Sequence, residues 1–471
     1  MSNMSSLTTA LSALYAQRRG LDITGHNIAN ANTEGYTRQR VEMVGNAGPV
    51  GASLFSKWNG VGQGVNVTGI TRMRDAFLDL RSNQEHSVQG ELGMSQTILS
   101  RIELGFGEPS DMGLAAQFSE FWSGWDDVAN NPTDLAARNA LLERASTLTT
   151  NLRGTAASMS ALRTDLVDQL RAQTEAVNQM ATAIAQLNEN ITNQTNSGLS
   201  PTDLLDQRDL LVNQLSDTIG ITIKPREGGG VDIFVGGTAL VRNTVAESLK
   251  VDDSTDPVGL QWTKDGYPAS VGGGSVAGLL KGINDVIPRY LSQLDGVAAR
   301  MMEMVNGAHT EGQDLDGVAG EDFFAGTGAA DIRLSDAVIG QPRHIAAAAM
   351  GGGTADNSNA LRLAAFANHR DRPLDPSDPA YLAGDGPDML YRSMIVGMGV
   401  ETEAVNRRVD IQYEITRQMD AARDSQAGVN LDEEMTNMLA YQRAYEAAAR
   451  FMTAIDQMLD RLINSTGLVG R

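Results

Sequence analysis

The sequence predicts a mainly α, elongated, multi-domain protein. Its terminal helices pair as a coiled coil, and a small β domain is inserted into a bundle of long helices. Three observations carry this expectation. Both ends of the chain bear a narrow apolar stripe at coiled-coil spacing. Aromatics are only 5% of the 471 residues, and long tracts are dominated by Ala, Gln, Asn, Leu and Met, a mixture suited to helices packed side by side. From Gly220 the composition shifts to short β-branched runs punctuated by glycines. The boundaries that follow are 1–45 with 429–471 for the terminal pair, 46–219, 276–320 and 354–428 for the bundle, and 220–275 with 321–353 for the β domain.

The C-terminal stripe steps alternately by four and three from Leu431 through Met435, Met438, Gln442, Tyr445, Ala449, Met452, Asp456 and Leu459 to Ile463. No Gly or Pro interrupts Leu431 to Ser465, so one helix of roughly 50 Å is expected. Asn430 caps it, with Asp432, Glu433 and Glu434 in its first turn. At the other end Leu7, Leu11, Leu14, Leu21 and Ile28 repeat the spacing, with Arg18 and Gly25 as its two poor positions. Two such seams either pair with each other or each pack on the central domain.

Composition removes several function classes. The formal net charge is -21 with a pI of about 4.6, which disfavours nucleic acid and anionic membrane as partners. The absence of cysteine excludes disulfides, thiol nucleophiles and zinc–thiolate sites. No basic segment followed by a continuous apolar run opens the chain, so an ordinary secretory signal is not expected. No apolar run is long enough to insert in a membrane.

After the first helix, Asn and Gly cluster around Asn30 to Gly35 and end it in a turn. Residues 41–70 read as a short extended segment around Gly64-Val-Asn-Val-Thr68, and Gly60, Gly62 and Gly64 as a turn-rich connector. Arg72 to about Leu104 is helical but interrupted at Gly90 and Gly93. Leu114, Phe118, Phe121, Trp125 and Val128 form an apolar face, after which Asn131 caps a helix with Pro132 at its first position. That helix runs towards Asn190, broken or bent near Gly154. Ser200 caps the next one, with Asp203 reaching back, until Gly220 ends it.

Between Ile221 and Val241 three β-branched runs form a small β domain whose Gly-flanked boundaries suggest a peripheral module. Helix returns from Val276 to Asn306, kinked or restarted by Pro288. Ile332-Arg-Leu334, Val338-Ile339 and His344-Ile345 read as strands rejoining the β domain, and residues 368–388 as an Asp- and Pro-rich solvent loop. Pro387 starts the last helix before the C-terminal seam.

No constellation carries chemistry, so no catalytic residue, cofactor or metal ligand is assigned. The five histidines are scattered without metal-helix spacing. Asp314-Leu-Asp-Gly-Val318 fails the calcium-loop pattern because Val318 replaces an oxygen ligand. Asp203, Asp206 and Asp209 share a helix face, but Gln207 and Arg208 lie among them and no His is near in sequence. A capping and salt-bridge role fits them better than acid–base chemistry.

Two strings give these elements a context. Asn27-Ile-Ala-Asn30-Ala-Asn32-Thr33-Glu-Gly35-Tyr36 closely resembles the N-terminal motif of bacterial flagellar axial proteins, and Arg38-Gln-Arg40 after it leans towards their hook-associated branch. Phe118-Ser-Glu-Phe-Trp122, Asn131-Pro132 with Arg138, and Asp203-Leu-Leu-Asp206-Gln207-Arg208-Asp209 resemble the interior of the flagellar hook-associated protein 1 (FlgK) family. Leu431-Asp-Glu-Glu-Met435 and Tyr441-Gln-Arg-Ala-Tyr445 also resemble rod and hook C-termini. The resemblance implies a secreted structural subunit at the hook–filament junction, exported unfolded and assembled as a ring of copies around the terminal helices. It implies the flagellar hook protein, the second hook-associated protein and an export chaperone on the C-terminal helix as partners. A sibling axial protein would share the ends but not Asp203 to Asp209, and a flagellum-associated hydrolase would need a carboxylate-lined cleft. The short β insertion implies that an outer domain of larger relatives is missing.

Overall fold

The computed structural model describes residues 2–46, 62, 64–368 and 386–465. The expected connector around Gly60 and most of the Asp- and Pro-rich stretch lie outside them.

The fold is built along one helix. α4, Leu135–Asn196, runs unbroken for 62 residues, roughly 90 Å at helical rise. Its buried side repeats Leu141, Leu148, Leu152, Leu166, Leu170, Val177, Ile184 and Ile191, so apolar periodicity carries it without a break past Gly154. Gly154 has open space around its Cα and costs only propensity there. The helix also begins later than expected. Asp134 is its N-cap, accepting from the Ala136 N–H, while Asn131 closes the helix before it.

That preceding helix is α3, Leu114–Asn130, whose Phe118, Phe121, Trp122 and Trp125 are buried against α4. α2, Ala76–Phe106, is continuous too. Gly90 does not interrupt it but lets α5, Thr202–Thr218, approach. A Cβ at Gly90 would lie 2.1 Å from the Asp217 carbonyl oxygen. α6, Gly274–Lys281, passes through a π-helical turn at Gly282–Val286 into α7, Ile287–Thr310. The wide turn accommodates Pro288, which lacks the N–H a regular helix would use, so the helix neither stops nor restarts. α8, Ser358–Ala365, lies on α3, and α9, Pro387–Ala427, lies along α2.

The strands β3 (Thr222–Pro225), β4 (Val231–Val235), β5 (Thr238–Arg242) and β6 (Val245–Ala246) form one antiparallel sheet. β7 (Leu249–Asp252), β8 (Gly259–Trp262) and β9 (Pro268–Ala269) form a second. These sheets are not a peripheral module. Ile233, Val235, Leu240, Leu249 and Trp262 belong to the same buried cluster as the α4 side chains, and β5, β6 and β7 touch α4 directly.

Nor do later strands rejoin them. β10 (Gly312–Gln313) pairs with β13 (Ala348–Ala349), and β11 (Phe324–Ala325) with β12 (Arg333–Leu334), as separate two-stranded pieces at the α3–α7 end. Their apolar residues, Phe323, Phe324, Ile332 and Ile345, fill the aromatic core around Phe121 and Trp125. Burial in the helical end, rather than strand pairing, explains their β-branched and aromatic composition.

The two chain ends do pair. α1, Ser2–Ala29, lies antiparallel to α10, Leu431–Ser465, over the hairpin of β1 (Gln39–Gly45) and β2 (Val65–Arg72). The capping of α10 is as expected, with Asn430 Oδ1 accepting from the Asp432 and Glu433 N–H groups at 3.0 and 3.3 Å.

Candidate functional site

The terminal pair and its attachment to the bundle hold most of the residues singled out from sequence. On the α1 side the contact with α10 is made mainly by small and polar groups, and on the α10 side by larger ones. Ala10, Ala16, Gly20, Ile23, Thr24 and Asn27 are buried on α1, and Glu434 and Ile455 on α10. The α10 contact therefore runs Glu434, Met438, Tyr441, Ala448, Met452, Ile455 and Leu459, all buried or half-buried. It shares Met438, Met452 and Leu459 with the expected seam but is rotated away from Met435 and Ile463, which are exposed. Tyr445 and Leu431 stay partly open at its edge. On α1 the expected Leu7, Leu14, Leu21 and Ile28 are half-buried on the flank, and Leu11 is exposed. The rotation has a cause that apolar counting misses, because the position taken in place of Met435 belongs to an acid whose charge is fully engaged.

That acid is Glu434, 2% exposed. It accepts from Asn27 Nδ2 at 3.0 Å and from Arg38 Nε at 2.8 Å. Asn27 is fully used, donating also to the Gln39 carbonyl and accepting from the Gln39 N–H and from the Tyr36 hydroxyl at 2.7 Å. Burial, then the nearby charges of Asp203, Asp206 and Glu434, raise the Tyr36 phenol, so it stays a donor. Asn30 and Thr33 tie off the end of α1. Asn30 Nδ2 donates to the His26 carbonyl and Thr33 Oγ1 to Asn30 Oδ1. Gly35 turns the chain at φ +76, facing Leu210 of α5. Asn32 and Gln207 are exposed.

The second string meets the first here, although about 170 residues separate them in sequence. Asp203 accepts from Gln39 Nε2 at 2.9 Å and Asp206 from the Thr37 N–H at 3.1 Å. Arg72 of β2 bridges Asp206 and Asp209 at 2.8 Å each. Arg74 and Arg208 also bind Asp209, and Arg208 donates to the Gly229 carbonyl at 2.6 Å, reaching the β layer. Burial would raise Asp209, but Arg208, Arg74 and Arg72 together hold it below the usual carboxylate range. Asp206 is raised, because burial there outweighs its hydrogen bonds from Arg72 and Thr37. The salt-bridge expectation for these aspartates fits their partners, whereas the capping expectation does not. α5 has Pro201 at its N-cap with no side-chain cap bond.

Two more polar anchors fasten the bundle itself. His86 of α2 bridges Asp217 of α5 and Asp420 of α9, and the hydrogen bonds it donates to those carboxylates push it up to about 9. Arg138, 1% exposed, donates to the carbonyls of Pro132, Pro342 and Ile345, and burial lowers it to about 10. The family-like Arg138 is thus a strut between the start of α4 and the loop at residues 342–345. Asp314, Asp316 and His344 lie near enough to share a cation. Arg343 already neutralises Asp316, however, and Asp314 caps its own turn by accepting from the Asp316 and Val318 N–H groups. The arrangement as a whole is mechanical. It locks the chain ends to the bundle through buried, fully paired charges and leaves apolar side chains of the ends facing out.

Comparison with known proteins agrees with this architecture. The family model "Flagellar hook-associated protein FlgK helical domain" matches residues 99–324. "Flagellar basal body rod FlgEFG protein C-terminal" matches 421–465, and "Flagella basal body rod protein" matches 7–37. Flagellar hook-associated protein 1 of Bacillus subtilis is 29% identical over 99% of both chains. Its Escherichia coli counterpart is 25% identical over 98% of this chain and 100% of the relative. The solved flagellar hook junction protein FlgK from Burkholderia pseudomallei shares the fold at a TM-score of 0.64 and 16% identity, over 73% of this chain and 99% of that one. Taken with the two strings joined in one hub, these matches make the chain similar to the flagellar hook-associated protein 1 (FlgK) family over nearly its whole length.

Proposed function

We propose that this chain is a structural subunit of the bacterial flagellum at the hook–filament junction, assembled by packing its terminal helix pair against copies of itself in a ring. The observation that carries the reading is the outward apolar surface of that pair. Tyr15, Met435, Leu439, Phe451, Met458 and Ile463 are 39% or more exposed on helices whose mutual contact is already satisfied. Charge is distributed to match. Residues 1–45 and 429–471 hold eight Arg against nine Asp and Glu, so nearly all of the net charge of -21 lies on the rest of the chain. Near-neutral ends pack closely, while acidic bundles repel one another and stay outward.

The hook protein below, the second hook-associated protein above and an export chaperone on the C-terminal helix are the partners this reading entails. Export in the unfolded state to the outside of the cell is part of it. The role is non-enzymatic, since the clustered aspartates of α5 are held by arginines.

The test substitutes Met435→Asp and Phe451→Asp. As surface changes they should shift the melting of the free chain by less than about 0.5 kcal/mol. They should abolish retention on purified hooks, since a desolvated charge would enter every copy-to-copy contact. Normal retention would overturn the proposal. Limited proteolysis gives a second check. Cleavage before about Asn32 and after about Val429 is expected to be slower in the assembled junction than in the free chain, because neighbouring copies would cover the outward face of the pair.

A further inference from the structure

The α1 side of the contact with α10 is made largely of interchangeable small residues, yet two unlike pairs interrupt the contact at one common offset. Gly20 faces Tyr441, and a Cβ on Gly20 would lie 2.6 Å from the ring. Seven residues along α1, Asn27 faces Glu434, seven residues back along α10, at 3.0 Å and buried. Around them the contact is alanine-rich, with Ala10, Ala13, Ala16, Ala444 and Ala448 buried or half-buried. A helix face of small residues presents nearly the same surface to its partner after a seven-residue slide, which moves one helix by about 10 Å.

We infer that these two pairs are a register key. They select one axial offset between the chain ends out of several that the seam alone would accept. Sliding in one direction brings the Tyr441 ring onto Asn27, whose amide would lose Glu434. Sliding in the other brings the Glu434 carboxylate onto Gly20 and the ring onto Ala13, where no hole exists. Each slip buries an unpaired polar group or forces a clash, so each is penalised twice. Because Arg38, which holds Glu434, also donates its backbone N–H to the Ala427 carbonyl at the end of α9, the offset is tied to the bundle as well as to the partner helix.

The chain has no cysteine, so engineered pairs report register cleanly in the full-length free protein. Ala13→Cys with Ala448→Cys reports the observed offset. Ala10→Cys with Ala444→Cys, and Thr24→Cys with Ala444→Cys, report seven-residue slips in the two directions. A bifunctional maleimide shorter than the slide should link the first pair and leave the other two at least ten-fold slower. Adding Asn27→Leu and Glu434→Leu, which keeps the seam apolar, should bring a slipped pair to within about three-fold of the first. Slipped pairs that stay slow while the first pair still links would overturn the key. Loss of all three links with helicity retained would also overturn it, since the two residues would then hold the helices together rather than choose between offsets. Tyr441→Ala, which opens the Gly20 hole, should give a smaller rise in the same slipped links, and no rise would remove that pair from the key.

Discussion

The bundle and the terminal pair are both helical, yet they are stabilised by opposite means. In the bundle, Phe118, Phe121, Trp122 and Trp125 sit at 1% exposure or less in a core shared with α4, α7 and the strands. In the terminal pair, small residues of α1 meet Met438, Tyr441, Met452, Ile455 and Leu459 of α10, while Tyr15, Met435, Leu439, Phe451 and Ile463 point outward. Charges differ likewise. Arg72, Arg144, Arg171, Arg208 and Arg289 of the bundle and its hub are ion-paired within the chain, and among the described residues of the ends Arg38 is the arginine seen to pair with an acid. A domain with a large aromatic core folds alone, whereas a two-helix pair without one is completed by neighbours.

The largest contrast should come from Trp122→Ala. It removes a buried ring and leaves the Asp388 carboxylate, 2.8 Å from the indole nitrogen, without its donor. A loss of about 3–5 kcal/mol is expected, seen as a large drop in the melting temperature of the bundle. A small drop would mean that the core tolerates the cavity and that the two regions are less different than their packing implies.

Arg72→Met tests the joint. Removing one partner from a buried pair leaves Asp206 uncompensated and should cost about 3 kcal/mol. The loss should appear as early proteolysis of the terminal pair with little change in bundle melting. Equal loss in both would show that the hub is part of the bundle core.

Acidity and alkalinity should act on the bundle through two histidines of opposite sign. An unfolded imidazole titrates near pH 6.5. His309 is buried, and its Nε2 accepts from the Ala346 N–H at 2.9 Å, so burial holds it down to about 4. Below pH 6.5 the unfolded chain takes the proton first. The bundle therefore loses stability progressively down to pH 4, by at most about 3 kcal/mol. His86 is raised to about 9, so its contribution is complete below pH 6.5 and is lost as pH rises through 9. Partial exposure makes that limb shallower. His309→Asn should flatten the acid limb of a melting-temperature profile and His86→Gln the alkaline one. Unchanged limbs would assign the pH dependence elsewhere.

The smallest effect belongs to Asn430→Ala. Loss of its cap should cost about 1 kcal/mol, confined to faster amide exchange in the first turn of α10.

The pairing of the ends was legible because heptad spacing survives in any context. Its rotation was not, since Glu434 counts as polar in a sequence and is buried only because Asn27 and Arg38 meet it. The motif residues Asn27, Tyr36, Asp206 and Asp209 were likewise visible one string at a time. Their convergence depends on loop closures that no local pattern records. Glycines misled in both directions. Gly90 and Gly154 suggested breaks in helices whose apolar periodicity overrides local propensity. Of the later strands expected, the one at Ile332-Arg-Leu334 forms as β12 but pairs with β11 rather than with the β domain, whereas Val338-Ile339 and His344-Ile345 are not strands, and their buried Val338 and Ile345 serve a helical core.

The uninterrupted course of α4 has a mechanical consequence. It touches α3 and β12 towards one end and β5, β6 and α5 towards the other, so a load applied to either end has no hinge through which to dissipate. Compliance in the molecule is thereby concentrated where the backbone leaves helix, at Gly428 and in the turn from Asn30 to Tyr36. The Arg72 fork spans that joint like a pin through a knuckle. A junction under torque would therefore bend at the hub before its bundles yield.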